Sequence, residues 1–570
     1  MHPLWDVQDR LPVECGPNKL TMPKITIDNC EVEVEAGATI LDAAQKLGIA
    51  IPTMCYLRGH EATTSCMVCV VKLAGASGLV PACGTIARDG MRVESSSEEV
   101  REARKAALEL LLSDHVGDCV GPCQMGCPAH MNIPQMIRQI AAGDLEAAIA
   151  TVKQDIALPA VLGRICPAPC EKACRRRLHD EAVSICLLKR YVADVDLQSP
   201  SAYLPQHGQT RGKRVAIIGA GPAGLSAAYY LQQDGFECTV FDDHDEPGGM
   251  LRYGVPEASL PRDVLAAEIA QVQKLGVTFK LGTRVGVAVW MEEIRRQFDA
   301  VFVGSGELKP GDADALGVDA SPEGIKIDNQ TNRTNVPGVF AGGDAVRKRR
   351  LAVRAVADGK EAAEAIRQYL MGVGWTLAHA DNLGMAGQEQ HRLKPILQLG
   401  RTFNSRMGKL EDGEMETFLQ SASLEPRRKP SGPDGGFTGE EACAESLRCL
   451  HCDCRKLDTC LLRQHAQACD ARLSRYKADR RRFVQQTQHP EVIYEPGKCI
   501  DCGICIQIAS QAGEKLGLAF VGRGFDVRVA VPFEESLAEG LKVVAAQCVQ
   551  ACPTGALAFK GESKEQDGLQ

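Results

Sequence analysis

The sequence is poor in aromatic residues, with three Trp, nine Tyr and fourteen Phe among 570 residues, 5% in all. It has no surplus of positive charge. Lys and Arg number 65 against 73 Asp and Glu, a net charge of −8, and the pI is near 5.9, which disfavours a nucleic-acid binder. No run of about 18 uninterrupted apolar residues is present, so no membrane span is expected; the nearest, Val215 to Leu231, is broken by Gly219, Gly221, Pro222 and Gly224. The opening Met1-His-Pro-Leu-Trp-Asp has no basic segment leading into an apolar one, so no secretory signal is expected. There is no P-loop, no Ser-His-Asp arrangement and no carboxylate pair tied to a substrate pocket, so no catalytic residue is nominated. The basic runs Arg175–Arg177 and Arg347–Arg350 read as solvated faces, with a docking surface for an acidic partner as the sharper alternative.

What the sequence does have is 25 cysteines. They are too dilute for a small disulfide scaffold and odd in number. A reducing cytoplasm is therefore expected, where clustered cysteines read as metal ligands or redox groups. They fall in blocks at 55–83, 119–186, 443–469 and 499–552, with only Cys238 between Cys186 and Cys443. Length and 45% apolar composition allow several cores. The expected division is 20–100, 101–200, 212–372, a linker or extended region at 373–438, a cysteine-rich segment at 439–490, and 491–562. Residues 200–212 and 426–439 are also linker-like, and 376–425 is weakly patterned.

Lys24 to Asp28 and Glu31 to Glu35 alternate as a hairpin, and Thr39 to Leu47 reads as a helix ending at Gly48. Cys55, Cys66, Cys69 and Cys83 follow in a C-x10-C-x2-C-x13-C spacing. Four thiolates suit a [2Fe–2S] cluster; a zinc knuckle is the alternative. The long first gap resembles the N-terminal domain of the complex I large iron–sulfur subunit and of iron-only hydrogenases, which implies a β-grasp ferredoxin domain.

A charged helix over 98–112 leads to His115, then Cys119, Cys123 and Cys127-Pro; Cys166-Pro-Ala-Pro-Cys170-Glu-Lys-Ala-Cys174 comes later. Spacing of four could present each set of three on one helical face. The segment resembles the N-terminal domain of glutamate synthase small subunits and of dihydropyrimidine dehydrogenase, a helical domain with two [4Fe–4S] clusters. The resemblance implies that Cys119, Cys123 and Cys174 share one cluster and Cys127, Cys166 and Cys170 the other. His115 is the candidate fourth ligand of the first, resembling the complex I site of one histidine and three cysteines. Cys186 is the candidate for the second, against a buried free thiol, since Lys189 and Arg190 on the same helix are unsuitable.

Arg214 to Leu231 reads strand, G-x-G-x-x-G, helix, with Gly219, Gly221, Pro222, Ala223 and Gly224 at the turn. Asp242 ends the next strand, 18 residues beyond Gly224. The glycines admit a pyrophosphate at the helix N-terminus and the acid takes ribose hydroxyls. Two further segments resemble glutamate synthase small subunits: Pro247-Gly248-Gly249-Met250-Leu-Arg252, and Thr334 to Ala345 with Gly343 and Asp344. They imply FAD, with Asp344 on the ribityl chain. Related flavoproteins insert a nicotinamide domain between these motifs. Here the chain passes from Phe298–Gly306 to Thr334 without room for one. A diverged nicotinamide site is the alternative.

Cys449, Cys452, Cys454 and Cys460 suit a further [4Fe–4S] cluster or zinc. Cys499-x2-Cys502-x2-Cys505 and Cys552-Pro follow the ferredoxin rule for one [4Fe–4S] cluster and leave Cys548 over. That single-cluster form resembles the complex I subunit. The remaining thiols are Cys15, Cys30, Cys186, Cys238, Cys443, Cys469 and Cys548.

The expected fold class is multidomain α/β and α+β: a β-grasp [2Fe–2S] ferredoxin, a helical double [4Fe–4S] domain, a Rossmann-like FAD domain, and C-terminal cysteine-rich and ferredoxin-like [4Fe–4S] domains. The expected cofactors are FAD, one [2Fe–2S] and about four [4Fe–4S] clusters. The mosaic resembles subunits of soluble NADPH-dependent iron reductases. It implies a cytoplasmic electron-transfer subunit of anaerobic metabolism. Its partner would be a hydrogenase, formate dehydrogenase, 2-oxoacid oxidoreductase or nicotinamide-binding subunit, with ferredoxin as a further partner. The alternatives are a stand-alone NAD(P)H:ferredoxin or acceptor oxidoreductase, and a non-catalytic redox sensor or scaffold.

Overall fold

Asp28 and Asn29 both adopt positive φ (47° and 69°), the twist a two-residue hairpin turn requires. They join strands Lys24–Ile27 and Cys30–Glu33, paired Lys24 with Glu33. The structure, a computed structural model, describes residues 22–372, 403–405, 409–476 and 480–561. The hairpin lies at one edge of a mixed sheet completed by Arg92–Glu94, Val70–Leu73 and Leu79–Pro81. Thr39 caps the helix Ile40–Lys46 in a box with Asp42. Ile25, Ile27, Ile40, Leu41 and Val71 form the core between them.

Helix Glu98–Ser113 leads into a helical layer of Ile133–Ala141, Leu145–Lys153, Pro159–Ile165 and Ile185–Gln198. Ile133, Met136, Ile137 and Ile140 recur at helical spacing and pack on Ile149, Val152, Leu188 and Val192.

The central unit is a parallel sheet in the order Val339–Ala341, Ala300–Val303, Arg214–Ile218, Glu237–Phe241, Thr278–Lys280. Its strands are nearly all apolar, as a sheet covered on both faces demands. Between Val303 and Val339 lie only the helix Asp312–Leu316 and the short pair Ala320–Ser321 and Gly324–Ile325. That segment holds no second βαβ unit, as the sequence predicts.

The C-terminal region pairs Val492–Tyr494 with Leu557–Phe559 and sets the helices Ile504–Gln511 and Ala545–Ala551 over the pair. Among the described residues no helix is long and apolar enough to cross a membrane.

Two expectations change here. Of the stretch 373–438, residues 373–402 and 406–408 lie outside the described residues, as does Cys15. The described part is not a spacer. Asn404 exchanges hydrogen bonds with the backbone of Val120 (3.0 and 2.8 Å), and Ser405 with that of Gly117 (2.8 and 2.9 Å). Helix Glu414–Leu419 adds Phe418, stacked on Phe483 at 4.4 Å. These polar residues find partners in backbone that would otherwise be buried unpaired. Nor is the run Arg175–Arg177 a solvated face. Arg175 is buried on Asp118 at 2.6 Å, and Arg176, also buried, pairs with Asp180 and with the carbonyls of Ser423 and Arg448. Arg347–Arg350 is exposed.

Candidate cofactor sites

Every described cysteine is a free thiol, and twenty residues chosen from sequence as ligands gather into five groups. Cys55, Cys66, Cys69 and Cys83 lie at the end of the mixed sheet. The Cys66 N–H donates to Cys55 Sγ at 3.5 Å, and Cys69 and Cys83 Sγ are 3.3 Å apart. Hydrogen bonds from Cys66 and Cys83 hold the Cys55 thiol far below its usual range, and a bond from Cys83 lowers Cys69 to about 7. Thiolate is the form that binds metal.

Cys499, Cys502, Cys505 and Cys552 form the C-terminal group. Burial is the main cause that raises Cys499 and Cys505 and takes Cys502 to about 12, and the neighbouring thiols add to it. Cys548 stays outside, its S–H donating to the Cys505 carbonyl at 3.7 Å. Thr63 joins this group to the first: its hydroxyl lies 3.1 Å from the Cys55 carbonyl and 3.2 Å from that of Cys502.

The middle groups differ from the expected division. Cys119, Cys123 and Cys127 do not share a helical face. Helix Pro122–Gly126 has five residues and Pro169–Lys172 four, each begun by proline, and Cys127, Cys166 and Cys174 have extended backbone. Successive cysteines therefore turn in different directions. Burial first, then Cys174, Cys449 and Cys452, raises the Cys123 thiol; burial, then Cys454 and Cys460, raises Cys119. Cys123 and Cys174 thus face Cys449 and Cys452, whereas Cys119 faces Cys454 and Cys460. The set expected as Cys119, Cys123 and Cys174 is divided, and so is the set Cys449 to Cys460. The cause is tertiary. Helix Gly439–Ser446 packs on Ile133–Ala141, Arg138 grips Asp453 at 2.9 and 3.0 Å, and Cys454 N–H bonds the Cys119 carbonyl at 3.3 Å.

His115 shares the neighbour Lys498 with the Cys119 group. The Val116 N–H bonds the Gly497 carbonyl at 2.8 Å, next to Lys498, whose charge lies within electrostatic reach of Cys119 and Cys454. Burial, Lys498 and Arg480 lower the His115 pKa to about 3. Its Nδ1 is buried without a partner, so the ring is neutral and competent to ligate.

Cys127, Cys166, Cys170 and Cys186 complete the series. Cys186 lies in hydrogen-bond contact with Cys166 and Cys170, which takes its thiol down to about 2. Cys127 stands within reach of Cys170. Lys189, buried, faces all four sulfurs. Sequence reasoning had considered it only as a ligand. Its spacing of three from Cys186 is the signal that places it on the same helical face. Four thiols in four of the groups, three thiols and a neutral histidine in the fifth, no disulfide and buried cations nearby make these groups fit iron–sulfur centres, whose thiolates carry net negative charge.

The dinucleotide motif is built by close approach. Gly219 has φ +104° with Gly304 against it, and a Cβ on Gly224 would overlap the Gly219 carbonyl oxygen and meet Ile217 at 3.1 Å. A Cβ on Gly221, in contrast, would meet nothing within 4 Å; this is open space at the N-terminus of helix Pro222–Gln233, where a pyrophosphate fits. Gly249 packs on Gly221, and Gly248 N–H bonds the Ala220 carbonyl at 2.9 Å. Arg252 Nε bonds the Pro247 carbonyl at 2.9 Å, and Met250 is 66% exposed. Asp242 accepts from Ala220 N–H at 2.6 Å and His244 N–H at 2.9 Å. Gly343 (φ +67°) sits against Ala223, and Asp344 accepts from Arg349 and Arg350 N–H at 3.1 and 3.0 Å. Gly224→Ala is expected to weaken dinucleotide binding at least roughly tenfold while leaving iron content unchanged; flavin and iron assays on the purified chain check it.

This cradle meets the cysteine groups through Pro159–Ile165, the helix that delivers Cys166. Glu268 accepts from the N–H of Ala160 and Val161, both at 2.8 Å. Burial pushes its pKa from 4.5 up to about 7, against those bonds and Lys153. The folded chain therefore holds an extra proton between those values, and the stability this gives fades as pH rises through 7. Glu268→Gln removes the dependence. Relative to the native protein it is expected to gain up to about 3 kcal/mol between pH ~5 and ~8, read from unfolding midpoints at the two pH values.

Comparison with known proteins agrees with these modules. Residues 21–98 match the family described as a 2Fe-2S iron-sulfur cluster binding domain. Residues 98–200 match dihydropyrimidine dehydrogenase domain II, 4Fe-4S cluster. Residues 217–265 match an NAD(P)-binding Rossmann-like domain. The chain is 45% identical over 206 residues to the NADP(+)-dependent formate dehydrogenase subunit beta of Moorella thermoacetica, covering 32% of this chain and 29% of that one. It is 37% identical over 207 residues to the NADPH-Fe(3+) oxidoreductase subunit beta of Geobacter sulfurreducens (36% and 30%). It is 39% identical over 184 residues to the NAD-dependent dihydropyrimidine dehydrogenase subunit PreT of Escherichia coli K12 (32% and 44%). The matches span less than half the length of these relatives. The chain is thus a mixed α/β protein that joins a 2Fe–2S ferredoxin domain, a 4Fe–4S domain and a Rossmann-like dinucleotide-binding domain.

Proposed function

We propose that this chain is an electron-transfer subunit of an oxidoreductase complex, with FAD in the Rossmann-like cradle and five iron–sulfur centres. The ligands would be Cys55, Cys66, Cys69 and Cys83 for [2Fe–2S]. Four [4Fe–4S] centres would lie on Cys499, Cys502, Cys505 and Cys552; on His115, Cys119, Cys454 and Cys460; on Cys123, Cys174, Cys449 and Cys452; and on Cys127, Cys166, Cys170 and Cys186. FAD exchanges electrons in pairs with one partner and singly with iron–sulfur centres.

The observation that carries this reading is the order of the groups. The Thr63 hydroxyl links the first to the second, and Cys552 lies within electrostatic reach of Cys460. Cys119 and Cys123 are four residues apart in sequence, as are Cys170 and Cys174. Helix Pro159–Ile165 then leads from Cys166 to the Glu268 contact beside the cradle. Each protein contact holds neighbouring groups in fixed register. The ends of the series are the Cys55 group and the dinucleotide cradle, which suits exchange with partners at both. The similar subunits belong to a formate dehydrogenase, an NADPH-Fe(3+) oxidoreductase and a dihydropyrimidine dehydrogenase, so the partner proposed here is a component that acts on formate, Fe(3+) or a dihydropyrimidine.

A second reading is favoured by the NAD(P)-binding description of residues 217–265: the cradle takes a nicotinamide nucleotide itself. An anaerobic absorbance titration of the cluster-loaded chain with NADH, then NADPH, then dithionite separates the two. Bleaching by dithionite alone supports the subunit reading, with the nicotinamide site elsewhere. Bleaching by either nucleotide at micromolar concentration overturns it in favour of a nicotinamide dehydrogenase.

A further inference from the structure

Lys189 is 4% exposed. It lies on helix Ile185–Gln198, three residues after Cys186 and so on the same face. Its helix packs on Pro159–Ile165, which ends at Cys166, and on Pro169–Lys172, which carries Cys170, and the four sulfurs of the flavin-side group lie within its electrostatic reach. Among the described residues no carboxylate forms an ion pair with it. Two other buried cations beside cysteine groups are matched, Arg175 by Asp118 and Lys498 by Glu495; Arg104 and Arg463 donate instead to the carbonyls of Val70 and Leu457. Glu171, which accepts the Cys186 N–H at 2.9 Å, is neutralised by Arg427 at 2.7 Å. Among the described residues, the group on Cys127, Cys166, Cys170 and Cys186 therefore has beside it one positive charge that no carboxylate matches. Burial alone would lower the ammonium pKa; Cys186, Cys166, Cys170 and Cys127 hold it above its ordinary 10.5. An unpaired buried ammonium is costly unless a negative centre stands beside it.

We propose that Lys189 sets the reduction potential of the centre on Cys127, Cys166, Cys170 and Cys186, holding it above the value these four thiolates give without a neighbouring cation. The inference rests on the reading of these cysteines as [4Fe–4S] ligands. One-electron reduction adds one negative charge to a buried site. A fixed positive charge in the same low-dielectric space favours the reduced form. The electron comes from the reductant, no bond forms or breaks, and Lys189 keeps its proton in both states. Lys189 is thus a positioning and tuning residue rather than a ligand. It gives the last centre before the dinucleotide cradle a stronger hold on the electron.

The test is an anaerobic titration of the full, cluster-loaded chain with dithionite, read by electron paramagnetic resonance. The relevant signal is the one missing from Cys170→Ala. Lys189→Met is expected to lower its midpoint by the equivalent of at least a tenfold fall in the reduction equilibrium, about 59 mV for one electron. Lys189→Arg keeps the charge and should stay within about threefold of the native value. A Lys189→Met midpoint within that same range, or an equal shift in Lys189→Arg, overturns the proposal. Where Lys189→Met and Lys189→Gln fail to load the centre and Lys189→Arg loads it, the need for a charge is upheld. Loss in all three, read as iron content, means that shape and not charge is required, and overturns it. A Cys170→Ala chain that loses no signal overturns instead the assignment of the ligands, a separate result.

Discussion

Replacing Cys186 with alanine is expected to remove about four iron atoms per chain, the content of one [4Fe–4S] centre. The argument is the company this sulfur keeps. Cys166 and Cys170 both hydrogen-bond to it, and their bonds are the largest causes of its depressed pKa. Burial opposes that depression and is outweighed, so Cys186 is the thiolate of the group. Three thiols at a buried site leave one corner of a cubane without a ligand, and neighbouring Lys189 and Arg190 are cations that cannot supply it. Cys548→Ala is the matched control. Cys548 is also buried, but its S–H is spent on a backbone carbonyl, and its loss should leave iron unchanged. Iron and sulfide analysis of the two variants decides the matter. Full iron in Cys186→Ala would mean that the flavin-side centre takes another ligand.

The second large effect comes from combining substitutions. If Cys123 and Cys452 serve one centre, Cys123→Ala and Cys452→Ala each remove it, and the double variant should lose no more than either single, about four iron. Cys123→Ala with Cys454→Ala should lose about eight, because the structure sets Cys454 with Cys119 and Cys460. Grouping by nearness in sequence gives the reverse for another pair: Cys452→Ala with Cys454→Ala would lose about four rather than eight. Only Asp453 separates Cys452 from Cys454, so the comparison is free of large differences in local stability. Iron counts across the five variants, with the loss of distinct resonance signals, check the pairing. Additive loss in Cys123→Ala/Cys452→Ala would sink the arrangement.

Local patterns were legible. The hairpin that begins at Lys24, the helix near Thr39 to Leu47 and the strand–glycine–helix run at Arg214 to Leu231 depend on residues a few positions apart, and the structure holds each of them, with Cys30 already in the second strand and the turn at Asp28-Asn29. The shortness of the chain between Val303 and Val339 was also plain, because a missing βαβ unit is a matter of length. Groups whose ligands come from one loop or from one loop and one helix, such as Cys55 to Cys83 and Cys499 to Cys552, could be read from spacing and a Cys-Pro pair. The interplay of segments far apart was not legible. Asn404 on Val120 and Arg138 on Asp453 are contacts between residues 284 and 315 positions apart, and no periodicity encodes them.

The sequence by itself determined which residue types this protein has to work with: enough cysteines for several centres, a glycine-rich turn for a dinucleotide, and no space for a second nucleotide fold between Val303 and Val339. Their covalent order is enough for that, since each signal is local. Only the tertiary structure decided which sulfurs stand together. Helices of four and five residues send successive cysteines to different sides. The docking of Gly439–Ser446 onto the helical layer then delivers Cys449 and Cys452 to one group and Cys454 and Cys460 to the next. It also decided that Lys189 is buried within reach of these thiols, with no carboxylate among the described residues to match it. Burial and charge balance are properties of the packed chain, and spacing along the sequence does not carry them.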